Sequence, residues 1–261
     1  MKTGEQIGLK FDQSGAPLRY PGNTVIADIR PGNPAWAAMR AVRESLLEAG
    51  LGPLYILLPE DSYHMTVIRG LNDRVRTEAF WPASLPKDAS MAQADAYVAR
   101  AVASVPNPGP IRMAFDRIQA DDADLRVRLR PADAFQAEVL TAFRDRVAKA
   151  LGLRLPGHDA YTYHMTLAYA LFLPEGAQAD RLRQWSAAMD ALLAAQPGFE
   201  TDPPYMAYYA DMLAFSPVPE PVRKDYNFAG WKMNEEKGVV ADSFFDSAKF
   251  AVKTTFTAQW T

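Results

Sequence analysis

The sequence predicts an α+β fold made of two similar antiparallel lobes, and three observations predict it. Tyr63-His64-Met65-Thr66 recurs letter for letter as Tyr163-His164-Met165-Thr166, 100 residues later. Two further landmarks share that offset: Arg30-Pro31 with Arg130-Pro131, each after a strand, and Leu51-Gly52 with Leu151-Gly152, each after a helix. One matching tetrapeptide can arise by coincidence, but three aligned landmarks between matching elements indicate an internal duplication. Finally, neighbouring strands are joined by short turns, which favours antiparallel lobes over one doubly wound parallel sheet. The 261 residues suffice for a single bilobal unit over 1–221, with repeats at about 23–120 and 123–220 and a C-terminal extension over 222–261.

The elements follow in chain order. Residues 1–22 are polar and punctuated by Gly and Pro, and read as an arm. Thr24–Ile29 reads as a strand, ended by Arg30-Pro31-Gly32. Asn33 is an N-cap with Pro34 at the first helical position. Trp36, Met39, Val42 and Leu46 recur at helical spacing as far as Gly50, a C-terminal stop. Leu54–Leu58 is a short buried strand, Pro59–Ser62 a turn, and the first His-Met-Thr strand reaches about Ile68. Residues 70–88 are irregular, and a helix spans Asp88 to about Val105. Pro106–Pro110 is a break. Strands at Ile111–Ile118 and Leu125–Leu129 flank the turn Asp121–Asp124.

The second round begins at Asp133, which caps a helix carrying Phe135, Val139, Phe143 and Val147, with Gln136 in the capping-box position. The second His-Met-Thr strand follows. A helix over about Ala177–Ala195 bears Leu182, Trp185, Met189 and Leu192 on one stripe and stops at Pro197-Gly198. Tyr205–Phe215 reads as a strand, and Ala251–Trp260 alternates as an added strand in the extension.

Composition narrows the classes of function. The formal net charge is −3, which argues against a protein that coats long nucleic acid but allows a small nucleotide or an RNA terminus as substrate. There is no cysteine, so no disulfide, thiol nucleophile or thiolate metal site is available. A cysteine-free chain fits a reducing, cytoplasmic compartment. No signal-peptide core opens the sequence, and no apolar run of about 18 residues spans a membrane.

On a strand, side chains alternate between faces. His64 and Thr66 then share one face while Tyr63, Met65 and Val67 share the other, and His164 and Thr166 oppose Tyr163, Met165 and Leu167 in the same way. The second face is apolar and suits a core. The first offers an imidazole and a hydroxyl side by side, twice. Histidine titrates near neutral pH, so one ring can take a proton from attacking water while the other gives one to a leaving oxygen. The threonine hydroxyls can hold the non-bridging oxygens of a phosphate.

Two His-x-Thr motifs on matched strands of a duplicated chain resemble the two-histidine (2H) phosphoesterase superfamily, which includes LigT-type RNA 2′,3′-cyclic phosphodiesterases. His64-Met65-Thr66 and His164-Met165-Thr166 carry the match. The surrounding Leu58-Pro59, Trp81-Pro82 and Asp211-Met212…Phe215 look like a branch catalogued as a domain of unknown function. The resemblance covers roughly residues 8–220. It implies two antiparallel sheets flanked by helices around a central cleft, with catalysis that needs no metal or other cofactor. His64 and His164 would be the catalytic acid and base, with Thr66 and Thr166 binding the phosphate. The rival readings are a nucleotide-binding module without turnover and an RNA-end-processing or joining factor, the latter needing a basic rim. A metal site from His64, His158 and His164 lacks supporting ligand spacing, and His158 reads as a loop or capping residue. Tyr161 reads as packing; Arg69 and Arg112 could approach an anion, but solvated surface is the better reading for each.

Overall fold

In a computed structural model, residues 1–219, 228–233 and 256–260 are described. The first sheet holds β1 (Gly22–Asp28), β3 (His64–Asn72) and β8 (Tyr205–Tyr209) in the order β3-β1-β8. The second holds β2 (Tyr55–Leu57), β4 (Arg112–Ala120), β5 (Asp124–Pro131), β6 (His164–Ala170) and β7 (Phe199–Glu200) in the order β2-β6-β5-β4-β7. Every pairing is antiparallel. Four helices, α1 (Pro34–Glu48), α2 (Met91–Ala103), α3 (Ala134–Leu151) and α4 (Ala177–Ala194), accompany them. The α+β fold with two antiparallel sheets is therefore as the sequence predicts. In the extension, β9 (Phe228–Met233) pairs with β10 (Phe256–Trp260) as a two-stranded ribbon, and the rest of the expected strand over 251–260 lies outside the described residues.

The duplication is visible at the level of single hydrogen bonds. Ile29 N–H donates to the Tyr63 carbonyl at 3.0 Å, and Leu129 N–H to the Tyr163 carbonyl at 2.9 Å. Asp28 lies opposite His64, and Arg128 opposite His164. Both strand pairs slip register at the same place, between Val25 and Ile26 and between Leu125 and Arg126. Such a bulge bends the strand and re-aims the side chains beside it. The helices after these strands start alike: the Asn33 side chain accepts from Ala35 N–H, and the Asp133 side chain from Gln136 N–H. Ala35, Ala38, Met39, Val42 and Leu46 on α1, and Leu140, Phe143, Val147 and Leu151 on α3, bury one stripe each.

The sheets do not divide the chain into two contiguous pieces. Each repeat's last strand joins the other repeat's sheet. β4 pairs with β5, and β8 pairs with β1. β2, which has no counterpart strand after α3, also crosses to the larger sheet beside β6.

Several local expectations are corrected. Residues 1–22 are not a loose arm: Phe11 is fully buried in a small cluster with Leu58, Tyr169 and Met212, and Leu173 N–H donates to the Lys2 carbonyl at 2.8 Å. The second helix begins at Met91, not Asp88, because Ser90 and Gln93 close a reciprocal capping box there. Gln136 does not complete such a box; its side chain accepts from Arg112 N–H at 3.0 Å and so ties α3 to β4. The Leu-Gly landmark is not structurally equivalent in the two copies. The left-handed helix stops are Gly50 (φ 68°) and Gly152 (φ 61°), each followed by a leucine N–H reaching back to the last turn. The strand expected over Tyr205–Phe215 ends at Tyr209, and the chain then turns back so that Tyr208 and Ser216 exchange backbone hydrogen bonds.

Candidate active site

Strand alternation sorts the two tetrapeptides as their sequence requires. Met65, Val67, Met165 and Leu167 are completely buried, and Tyr63 and Tyr163 nearly so. His64, Thr66, His164 and Thr166 are half-buried and line one cleft of about 420 Å³ where the two sheets meet. The bulges, at Val67 in β3 and Leu167 in β6, sit beside both pairs, so the same local geometry is built twice.

Each imidazole is oriented by backbone. His64 Nδ1 lies 2.7 Å from the Ser62 carbonyl, and His164 Nδ1 lies 3.1 Å from the Thr162 carbonyl. A carbonyl only accepts, so Nδ1 carries the hydrogen in both rings, and Nε2 is left free to accept a proton or, once protonated, to donate it. The Phe215 ring packs on His64 with centroids 4.3 Å apart.

The charges around the two rings differ. Burial lowers the pKa of His64, and the Asp28 carboxylate opposes that shift. Burial lowers the pKa of His164 to about 4, and the cations Arg126 and Arg128, with His64, push it the same way. Both shifts favour the neutral ring.

The cleft carries cations that sequence reasoning missed. Lys10 reaches it from the N-terminal segment and donates to the Tyr169 hydroxyl at 3.5 Å, with its ammonium over the Tyr169 and Tyr20 rings. Burial brings its pKa down to about 8, partly offset by Asp124. Arg126 stands opposite Thr166 and is held by Asp124 and Asp121. Arg69 is exposed but lines the cleft, with its guanidinium donating to the Pro156 carbonyl at 3.3 Å, so it is not bare solvated surface. Aromatic side chains Tyr20, Phe80, Tyr209 and Phe215 complete the wall. A lysine in an arm-like segment carries no periodic signal, whereas Arg126 occupies an even position on the same strand face as Asp124 and was there to be found.

The remaining candidates lie elsewhere. His158 Nε2 bonds Asp145 at 2.9 Å, and its carbonyl accepts from Arg144, a structural arrangement away from the pair. Among the described residues no group of three or more His, Cys, Asp or Glu side chains is placed to hold a metal ion. Tyr161 packs on Arg144 and donates to the Thr66 carbonyl at 3.1 Å. Arg112 pairs with Asp133 at the surface.

With the first His-x-Thr strand placed on the wall of this cleft, comparison with known proteins adds a family match over part of the chain. Residues 10–124 match the model of the 2H-phosphodiest family, described as a domain of unknown function (DUF1868). The resemblance to two-histidine phosphoesterases, in a branch of unknown function, is thus borne out over the first repeat, and the family's name points to phosphoesterase chemistry. The 2H-phosphodiest match includes His64 and Thr66 but ends before His164. A conserved protein of unknown function from Agrobacterium tumefaciens str. C58 superposes with a TM-score of 0.75 at 25% identity, over 82% of this chain and 91% of that one. A protein of Thermus thermophilus aligns over 92% of this chain and 94% of that one, but with a TM-score of only 0.37 at 12% identity. No curated protein matches the chain. No helix among the described residues is long and apolar enough to cross a membrane.

Proposed function

We propose that this chain is a phosphodiesterase that opens a 2′,3′-cyclic phosphate, or a related phosphodiester of a nucleotide or RNA end, with His64 and His164 as acid and base and Thr66 and Thr166 on the phosphate. The observation that carries the reading is the pair of imidazoles on one cleft, each with Nδ1 fixed by a carbonyl and Nε2 free. A module that only binds nucleotide has no use for two such proton-transfer groups.

The asymmetry of charge supports a division of roles. His164, surrounded by Arg126 and Arg128, resists protonation and acts as base. His64, with Asp28 nearby, is the ring that more readily accepts a proton and acts as acid once an anionic phosphodiester lies in the cleft. Water attacks phosphorus as its proton passes to His164 Nε2. The bond from phosphorus to the leaving ribose oxygen breaks as that oxygen takes the proton from His64 Nε2. A phosphomonoester results, and exchange with water returns both rings to their starting state. Thr66 and Thr166 hydroxyls, with Lys10 and Arg126, offset the charge that builds on the non-bridging oxygens. No cofactor enters these steps.

The decisive experiment is turnover of the four nucleoside 2′,3′-cyclic monophosphates by purified protein in EDTA, followed by chromatography of the 2′- and 3′-monophosphates. The expected result is a single monophosphate isomer, lost in His64→Ala and in His164→Ala. Recovery of activity only on adding a divalent ion would replace the two-histidine reading with a metal-assisted one.

A further inference from the structure

Opposite their histidines the two repeats differ at one position that reverses a charge. In the first repeat Asp28-Ile29-Arg30 forms a compensated group: Arg30 donates to Asp28 at 2.6 Å and to Asp202 at 3.1 Å, and the Tyr205 hydroxyl donates to Asp28. The second repeat has Arg128-Leu129-Arg130 in the same places. Arg128 is 8% exposed, yet its guanidinium has no hydrogen-bond or carboxylate partner among the described residues, and its Nε is fully buried. A buried charge without a hydrogen-bonded partner is costly: burial together with Arg117 and Arg126 lowers the pKa of Arg128, and the Asp116 carboxylate, itself paired with Arg117, only partly opposes that. Arg130, two residues along the same strand face, has likewise lost the carboxylate that its counterpart Arg30 uses.

Both arginines open into a second cavity of about 450 Å³, separate from the cleft that holds the histidine pair. Arg117 and Thr162 border it as well, and His158 with Asp145 closes its far side. The carboxylates at its rim are engaged: Asp116 with Arg117, Asp145 with His158 and Arg154, and Asp159 with Arg154. Residues two apart on a strand stand about 6.6–6.8 Å apart, close enough for two guanidinium forks to share one tetrahedral dianion.

We propose that Arg128 and Arg130 form a second anion site, selective for a phosphate-type dianion, beside His164 but outside the catalytic cleft. The dianion supplies the counter-charge that the Asp28-to-Arg128 reversal removed. Its chemistry is shared by two sources, a second phosphate carried by the substrate and free phosphate; the first rests on the proposed phosphodiesterase reading, and the second does not.

The chain has only three histidines, two in the cleft and one, His158, at this cavity, so proton–carbon NMR of the imidazole Cε1–H groups reads the two sites separately. Inorganic phosphate titrated into the full chain should shift the His158 signal saturably. Arg130→Gln, at an exposed position, and Arg128→Met should each weaken that response by about tenfold or more while His64 still titrates. A His158 signal that stays fixed while His64 saturates, or one that responds equally in Arg130→Gln, would overturn the site. The source is then settled with adenosine 2′,3′-cyclic phosphate and the same compound bearing a 5′-phosphate. If the substrate brings the anion, Arg130→Gln raises KM only for the second. If free phosphate does, neither KM changes in its absence. No turnover of either compound, with His158 titrating normally, would remove the phosphodiesterase reading and leave the anion site standing.

Discussion

At the scale of single residues, the site reduces to an imidazole whose tautomer is set by the peptide carbonyl two residues before it, and a hydroxyl two residues after. Replacing His64 or His164 by Ala should cost on the order of 10²–10⁴-fold in kcat, as for other acid–base groups, and the double replacement far less than the product, because both act in one step. Thr66→Val and Thr166→Val should each cost roughly 10–100-fold, equivalent to one hydrogen bond to a charged group at about 1.5–3 kcal/mol. The pH dependence follows from the environment of the rings. kcat/KM reports the free enzyme. On the proposed mechanism the acid His64 must be protonated, and since burial lowers its pKa, kcat/KM should fall with rising pH through a value below histidine's usual pKa of about 6.5. The acidic limb should lie near 4, where His164 takes up a proton and ceases to be a base. In kcat, which reports the complex, the bound anion should move both limbs upward. A pH–rate profile whose kcat/KM plateau extends past about pH 7 would contradict this account. The four named side chains were legible because they repeat. Lys10 and Phe215 were not, since each enters from a segment whose position depends on long-range packing: Phe11 against Tyr169 for the one, and the turn after Tyr209 for the other.

At the scale of elements, helices and strands were readable wherever a cap or an alternation marked them. Asn33 and Asp133 predicted the starts of α1 and α3 to the residue, because a side-chain acceptor at the N-cap is a local device that needs no tertiary partner. Ser90, which caps α2 in the same manner, was passed over for Asp88. The stop signals misled in a different way. Leu51-Gly52 and Leu151-Gly152 match as letters, but only Gly152 is left-handed, and its true counterpart is Gly50. Gly152→Ala should therefore lower stability by about 1–2 kcal/mol, the cost of holding an L-residue at that φ, whereas Gly52, at an ordinary φ, carries no such backbone penalty. Urea unfolding of Gly152→Ala, with an unchanged rate on any substrate of the parent, would check the first value.

At the scale of the whole molecule, pairing between strands distant in sequence decided what the repeat could not. The offset pointed to two copies; it could not show that each copy's last strand lies in the other's sheet, because registry between β8 and β1 or between β4 and β5 is set by packing, not by local pattern. Since neither sheet is complete without the other repeat, thermal unfolding followed by far-UV circular dichroism and by tryptophan fluorescence should give one coincident transition, and separated midpoints would argue against this coupling. Phe11→Ala should destabilise by about 3–5 kcal/mol by emptying the cluster that anchors the N-terminal segment. The reciprocal strand exchange has a practical corollary. The tight turn at Asp121–Asp124 is where one repeat passes into the next, so a chain cut there yields two fragments that each lack an inner strand partner and display an open edge. Neither should persist alone, while the two expressed together should find each other and rebuild the cleft, which makes the molecule a natural starting point for a complementation reporter whose signal is the restored fold.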